Sequence, residues 1–355
     1  MNQNIKLWRD ILPDLDMVDK LLEELLPEQN ISSISFMEDV LKGNWVLEPD
    51  LILQYIRSCI LNMAAGWKSL FVSILVLFIA AAIVNGFMVA FKNEGAAHAA
   101  RTFFVICELL VLVNAFQNVL GIVNDAMNQM LEFLKIMLPS YMICIAAAGS
   151  GLTALIFYKL LLGFLCLIEG IVAASLTCVV EGYVMLGIVE SIWGEGRFDG
   201  IMELMKKTVQ FVMKGMVVFL SGSSILQIII TPVIDKANAA VIQKTAGAIP
   251  GIGDIVESVS TVTIASAIAV KSSLGALILV VLVLMIVAPV LRAFILLAII
   301  KVSGALGSIC GEKQMTKCVD YISEAGFMLL RLLITVATLF FVAIAAVTNA
   351  TSSTL

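Results

Sequence analysis

The sequence predicts an all-α, polytopic integral membrane protein of about seven to eight transmembrane helices, with a small-residue, candidate re-entrant segment at its centre. Three observations predict this. Hydrophobic residues make up 61% of the 355-residue chain, and the mean hydropathy of +1.04 lies far above that of a soluble domain. The apolar runs are long and continuous rather than alternating, which argues against a barrel. Finally, the stretch Thr245–Gly275 is built of small, weakly polar residues yet lies between two strongly apolar segments. Backbone of that kind at membrane depth is tolerated only where it lines an enclosed cavity or packs between helices.

The elements follow in order. Residues 1–60 read as short amphipathic helices. Pro13 opens one that carries Leu15, Val18, Leu21, Leu22 and Leu25 on a stripe and stops before Pro27. Ser35 followed by Glu38 predicts a capping box for the next, which Gly43 ends. Pro49 starts a third that leads toward the membrane. This acidic region is either a solvated cap or a docking surface for a partner.

The first span is Ser69–Phe91, followed by a loop containing Lys92, Glu94, His98 and Arg101. A second span, Thr102–Val123, carries Glu108, Asn114 and Gln117, so part of it should face protein. Asp125–Lys135 reads as an amphipathic connector. A third span, Ile136–Tyr158, is interrupted by Pro139 and by Gly149-Ser150-Gly151. A fourth covers Leu160–Val180, and Gly182–Trp193 is a short apolar piece that either crosses or does not. Gly215–Thr231 is the next span. Leu274–Val290, then Arg292 and a run to Ile300, form one kinked helix or a hairpin at Pro289. Phe327–Val347 is the last.

Four regions result: an acidic amphipathic-helical part (1–68), a first transmembrane bundle (69–193), a basic cytoplasmic amphipathic segment (194–214), and a second bundle (215–350) that includes the small-residue segment 232–273. Residues 1–68 hold eleven Asp/Glu against six Lys/Arg, which accounts for the whole net charge of −5. Lys206, Lys207 and Lys214, with Lys301, Lys313 and Lys317, put segments 194–214 and 301–320 in the cytoplasm. The central stretch, the C-terminus and the acidic N-terminal region then fall outside, with the 92–101 loop inside. If Gly182–Trp193 does not cross, everything upstream flips.

Nothing in the charge pattern resembles a nucleic-acid-binding face. No Ser/His/Asp set, phosphate loop or HExxH helix occurs, so neither catalysis nor a cofactor is expected. The seven cysteines read as small packing residues, and His98, the single histidine, as a solvated loop residue. The candidate conduit or interface residues are Gly247, Pro250, Gly251, Gly253, Asp254, Lys271 and Gly275. Gly247, Gly251 and Gly253 flank Pro250 and predict a bend, with Asp254 as the following N-cap. The intramembrane charges are Glu108, Glu169, Arg292 and Arg331, with Glu181 and Glu190 at interfacial ends. A proton-coupled carrier would turn Glu169 toward a cavity; the simpler reading, which we prefer, pairs it with a cation such as Arg331 or Lys159. Gly247-xxx-Gly251 and Gly307-xxx-Gly311 have small-xxx-small spacing.

Four stretches in order resemble the stage III sporulation protein AE family of endospore-forming bacteria: MEDVLKGNWVLEPDLILQYI (37–56), AFKNEGAAHAARTFFVICELLVLVNAFQ (90–117), MNQMLEFLKIMLPSYMICIAAAGS (127–150) and AGAIPGIGDIVESVSTVTIASAIAVKSSLG (246–275). The resemblance covers roughly residues 35–350. The start, MNQNIKLWRDILPDLD, departs from it, having no signal-peptide pattern where many members carry one. The resemblance implies a multi-pass, non-enzymatic subunit of the channel joining mother cell and forespore. It implies a place in the mother-cell-derived membrane, with ring-forming proteins, other membrane proteins and a secretion-type ATPase as partners, and no catalytic residues to carry over. The alternative is a self-sufficient secondary transporter using intramembrane carboxylates.

Overall fold

The computed structural model describes residues 15–25, 32–42, 49–61, 64–90, 94–146, 151–193, 196–219, 222, 253–310 and 313–352. Among them every regular element is helical. We number these α1 (Leu15–Leu25), α2 (Ser33–Leu41), α3 (Pro49–Leu61), α4 (Ala64–Ala90), α5 (Glu94–Ile145), α6 (Gly151–Ile168), α7 (Thr177–Trp193), α8 (199–219), α9 (Gly253–Gly307) and α10 (Lys313–Ser352).

The short N-terminal helices follow their apolar stripes. Leu15, Val18 and Leu22 are buried on one face of α1, and Leu21 and Leu25 pack against the same core. The cap of α2 lies one turn earlier than Ser35–Glu38 suggests. Ser32 is the N-cap, in extended backbone, and accepts from the Ser35 N–H at 3.1 Å. The Ser35 hydroxyl in turn accepts from the Ser32 N–H at 3.1 Å, doing what a Glu or Gln does in the usual box. Asp19 joins the two helices by accepting from the Ser33 N–H at 2.5 Å. Pro49 opens α3 as expected. The Tyr55 hydroxyl donates to the Leu284 carbonyl at 3.4 Å, tying α3 to α9. Burial raises the Tyr55 phenol well above its usual range, so the group stays a donor.

Among the described residues five helices are long and apolar enough to cross a membrane: Lys68–Phe87, Gly95–Ile145, Tyr158–Trp193, Ala269–Gly307 and Lys313–Thr348. The expected seven to eight spans are not reached among the described residues, because some fuse and most of the Gly215–Thr231 span lies outside those residues. Thr102–Val123, the connector Asp125–Lys135 and the start of the third span form one 52-residue helix, α5, that runs through Pro139. His98 and Arg101 accordingly lie in its first turns, not in a loop. The 55-residue α9 runs through Pro289, which resolves the choice there in favour of one continuous helix. Such prolines cost a hydrogen bond in water, whereas neighbouring helices make up for it inside a membrane bundle.

The fourth span and the short piece Gly182–Trp193 form one helical rod, joined by a π-helical segment, Glu169–Leu176. Its widened turns are stabilised by hydroxyls that reach back five residues: Thr177 Oγ1 donates to the Val172 carbonyl at 3.1 Å and Ser175 Oγ to that of Gly170 at 3.4 Å. Most of the Gly215–Thr231 span and the proposed re-entrant backbone before Gly253 lie outside the described residues.

The core is the packing of α9 and α10 on each other and on α5, with α4 and α7 against this trio. Glycines set the close approaches. A Cβ on Gly326 would fall on Leu297, one on Gly304 on Val319, and one on Gly307 on the Phe78 ring. The first two bring α9 and α10 together as an antiparallel pair; the third seats the middle of α4 at the last turn of α9.

Candidate functional site: a polar face on an apolar bundle

The expected site residues part company in the structure. Gly247, Pro250 and Gly251 lie outside the described residues. α9 opens at Gly253, so Asp254 falls in its first turn, past the cap position. Lys271 is fully buried. Gly275 is a close approach: a Cβ there would stand 2.8 Å from Thr348 Oγ1 and 3.0 Å from the Tyr141 hydroxyl, and those two hydroxyls bond to each other at 2.6 Å. Gly275 therefore serves packing between α5, α9 and α10. Arg292 and Arg331 are both exposed.

Glu108 is fully buried, and among the described residues neither carboxylate oxygen has a hydrogen-bond partner. Cys318 of α10 is within its electrostatic reach. Glu169 pairs with neither Arg331 nor Lys159. Its partner is Lys135 of α5, Nζ to Oε2 at 2.8 Å, with both side chains about half exposed. Sequence distance hid this pair, because the residues lie on two helices whose relative rotation no local pattern fixes. Glu181 is exposed, while Glu190 is buried and accepts from the backbone N–H groups of Gly196 and Phe198. It thus closes the turn out of α7, where Gly196 takes a positive φ of 71°.

The two basic segments meet at one end of the bundle. Lys206 of α8 and the Tyr183 hydroxyl both donate to Glu324 of α10. Lys301 pairs with Asp320 at 2.5 Å, and the Tyr321 hydroxyl donates to Asp199 at 3.2 Å. On the outside of α8, Lys207 bonds Glu203 and holds its carboxyl below the usual range.

The feature missed in the sequence lies along α5. From residue 111 to 135 every exposed side chain of this helix is polar. Asn114, Asn118, Asp125, Asn128, Glu132 and Lys135, with Gly121 between the second and third, follow one another at alternating steps of four and three. That spacing keeps them on one face. Gln117 and Gln129 widen it. From Asn114 to Lys135 the face is about 30 Å long, the thickness of a bilayer's hydrocarbon core.

Its depth in the bundle is set by contacts. Met130 of α5 lines an apolar groove with Leu282 and Ile286 of α9 and Ile334 and Phe341 of α10. The polar face therefore runs beside the most apolar of the five candidate spans, Ala269–Gly307, which contains an 18-residue stretch of mean hydropathy 3.1. A carboxylate at the centre of a lipid-facing helix costs about 2.5–3.5 kcal/mol. Asp125 and Glu132 have no ion-pair partner among the described residues, and Lys135–Glu169 half-faces the outside. Lipid is a poor medium for this face.

The polar spacing was present in the sequence, but dividing it into a span ending at Val123 and a separate connector cut the face in two. Among the described residues no cluster of His, Cys, Asp and Glu could hold a metal ion. His98 is exposed, as expected of a solvated residue. Of the cysteines, Cys59, Cys144 and Cys318 are buried in the packing, Cys107 is half-buried, and Cys166 and Cys178 are exposed.

Comparison with known proteins agrees with the four-stretch resemblance. The family model described as stage III sporulation protein AE matches residues 31–351. Stage III sporulation protein AE of Bacillus subtilis (strain 168) is 20% identical over 352 residues, which is 98% of this chain and 85% of that protein. No solved structure matches.

Proposed function

Because the chain belongs to the stage III sporulation protein AE family, we propose that it is a non-enzymatic, multi-pass membrane subunit of the channel complex that joins mother cell and forespore. It sits in the mother-cell-derived membrane around the forespore and works with ring-forming proteins, other membrane proteins and a secretion-type ATPase. The observation that carries this reading is the exposed polar face of α5. A helix with such a face at the depth of apolar spans belongs to a protomer that is finished only inside an assembly.

The lysine-rich end, with Lys206, Lys301, Lys313 and Lys317, is the cytoplasmic one. The fusions within 94–193 remove two crossings upstream of α8. Parity is therefore unchanged, and residues 1–68 and 92–101 keep the sides assigned from charge. Against a transporter built on Glu169, that carboxylate is half exposed and paired with Lys135.

The test is purification from sporulating cells in mild detergent, together with deletion of the gene. The expected outcome is co-purification with the ATPase and ring-forming proteins, and a severe fall in spore yield on deletion. Recovery of the chain alone, with spore yield unaffected by deletion, overturns the proposal.

A further inference from the structure

We propose that the α5 face from Asn114 to Lys135 is one wall of a water-filled conduit whose lining is acidic, so that it admits water and small cations in preference to anions. This rests on the channel reading above, since one helix face cannot enclose a passage and the remaining walls come from other subunits.

Three observations separate water from the other media that could cover the face. Its polar side chains occupy the depth of Met130, alongside the apolar stretches of α9 and α10, where lipid surrounds a lone protomer. No exposed apolar side chain interrupts it between residues 111 and 135. A protein–protein contact is expected to carry apolar or aromatic anchors at its centre and to be depleted of charge there. This face does the reverse, with Leu110 and Ile143 exposed only beyond its two ends, at 70% and 56%. Third, the Lys135–Glu169 bridge, at 2.8 Å, keeps 43% and 51% of its side chains accessible. A half-exposed ion pair costs little where water covers it and much where hydrocarbon does.

The charge class follows from the same residues. Lys135 is neutralised by Glu169, which leaves Asp125 and Glu132 as the net charge of the face. Low-dielectric walls focus such a field and concentrate counter-ions, here cations. Copies or partners around the passage would bring further walls, but this one contributes two carboxylates about 10 Å apart along the axis.

The test uses membranes of sporulating cells carrying the full chain, with the exposed Cys166 and Cys178 replaced by Ser. Single cysteines are placed on the face (Asn118→Cys, Asn128→Cys) and on apolar exposed positions of α4 and α10 (Ile83→Cys, Ile334→Cys). Each is treated with a cationic trimethylammonium methanethiosulfonate or its anionic sulfonate counterpart. Thiolate forms only in water, so the two face positions should react at least about tenfold faster than the two controls. Once each rate is divided by that reagent's rate with a small free thiol, they should prefer the cationic reagent by about tenfold, a preference that falls when Asp125→Asn and Glu132→Gln are combined.

Face cysteines no faster than the controls overturn the proposal, because protein or lipid then covers the face. Fast reaction without preference for the cation overturns its acidic character. Two face positions guard against one variant failing to accumulate. A dry face in a chain that still co-purifies with its partners defeats the conduit wall alone. A chain that purifies alone, with normal spore yield on its deletion, defeats the channel reading instead.

Discussion

α4 and α5 are antiparallel neighbours, joined at one point by Arg101 donating to Asn85 Oδ1 at 3.3 Å. Each contains an 18-residue stretch apolar enough to cross a membrane, of mean hydropathy 2.6 in α4 and 2.0 in α5. Their outward faces are opposites. α4 shows Val72, Val76, Ile79, Ile83 and Phe87, each more than half exposed; α5 shows Phe103, Ile106 and Leu110 in its first half, but over residues 111–135 it shows amides, carboxylates and a lysine. The difference teaches that an average over a helix does not say what the helix touches. Over residues 111–137 the apolar side chains of α5 turn inward, where Leu112, Val119, Phe133 and Met137 pack into the core. Its other side is built for a different medium.

The largest expected effect comes from exchanging the faces. Val76→Asp or Ile83→Asp puts a carboxylate where lipid or an apolar partner belongs, at a cost of about 2.5–3.5 kcal/mol. Asn118→Asp on α5 should leave the amount of protein in the membrane unchanged. Immunoblots of membranes compare the three directly. Equal accumulation of all three breaks the comparison.

The seat of α4 comes next. At Gly307 even a Cβ collides with the buried Phe78 ring, and overpacking of that sort costs about 1–3 kcal/mol. Gly307→Val should therefore lower the thermal midpoint in detergent, whereas Gly163→Val, where a Cβ meets nothing, should lower it much less. Equal midpoints would mean that α4 is free to slide on α9. The smallest effect belongs to the polar side: a double-mutant cycle on Lys135→Ala and Glu169→Ala should give a coupling of about 0–1 kcal/mol, as exposed pairs do. A coupling of several kcal/mol would mark the pair as desolvated and the face as covered.

How much of this could be read in the chain depended on whether the signal was local. The stripe of α1, Pro49 at the head of α3 and the basic end around Lys206 and Lys301 were legible because each rests on residues within a few turns, or on charge alone. The family was legible from the order of four stretches, and the match over residues 31–351 bears it out. Pro139 misled and Pro289 left a choice open, because the rule that a proline ends a helix holds in water, where freed carbonyls have alternatives to the bundle. Ser35 was read as the cap because Glu38 follows it. The structure instead uses the hydroxyls of Ser32 and Ser35 for both halves of the box. The partner of Glu169 is a matter of tertiary rotation, and no spacing encodes it. The bend expected at Gly247–Gly253 lies outside the described residues except for Gly253, where α9 begins, while Gly275, at the end of the small-residue stretch, proves to be a helix-packing position.

The seat of Phe78 on Gly307 has one more consequence. It puts the middle of the α4 apolar stretch level with the last turn of α9. The centre of the α9 stretch, near Ile286, lies about 30 Å further along the axis, a full hydrocarbon thickness. The molecule thus wears two greasy belts out of register, and no single flat sheet of lipid is centred on both. Such mismatch costs fractions of a kcal/mol for each ångström left uncovered. In flat lipid the protein acts as a step in the membrane, and a locally thickened or bent bilayer, or a neighbouring subunit, relieves it by wetting the two belts separately.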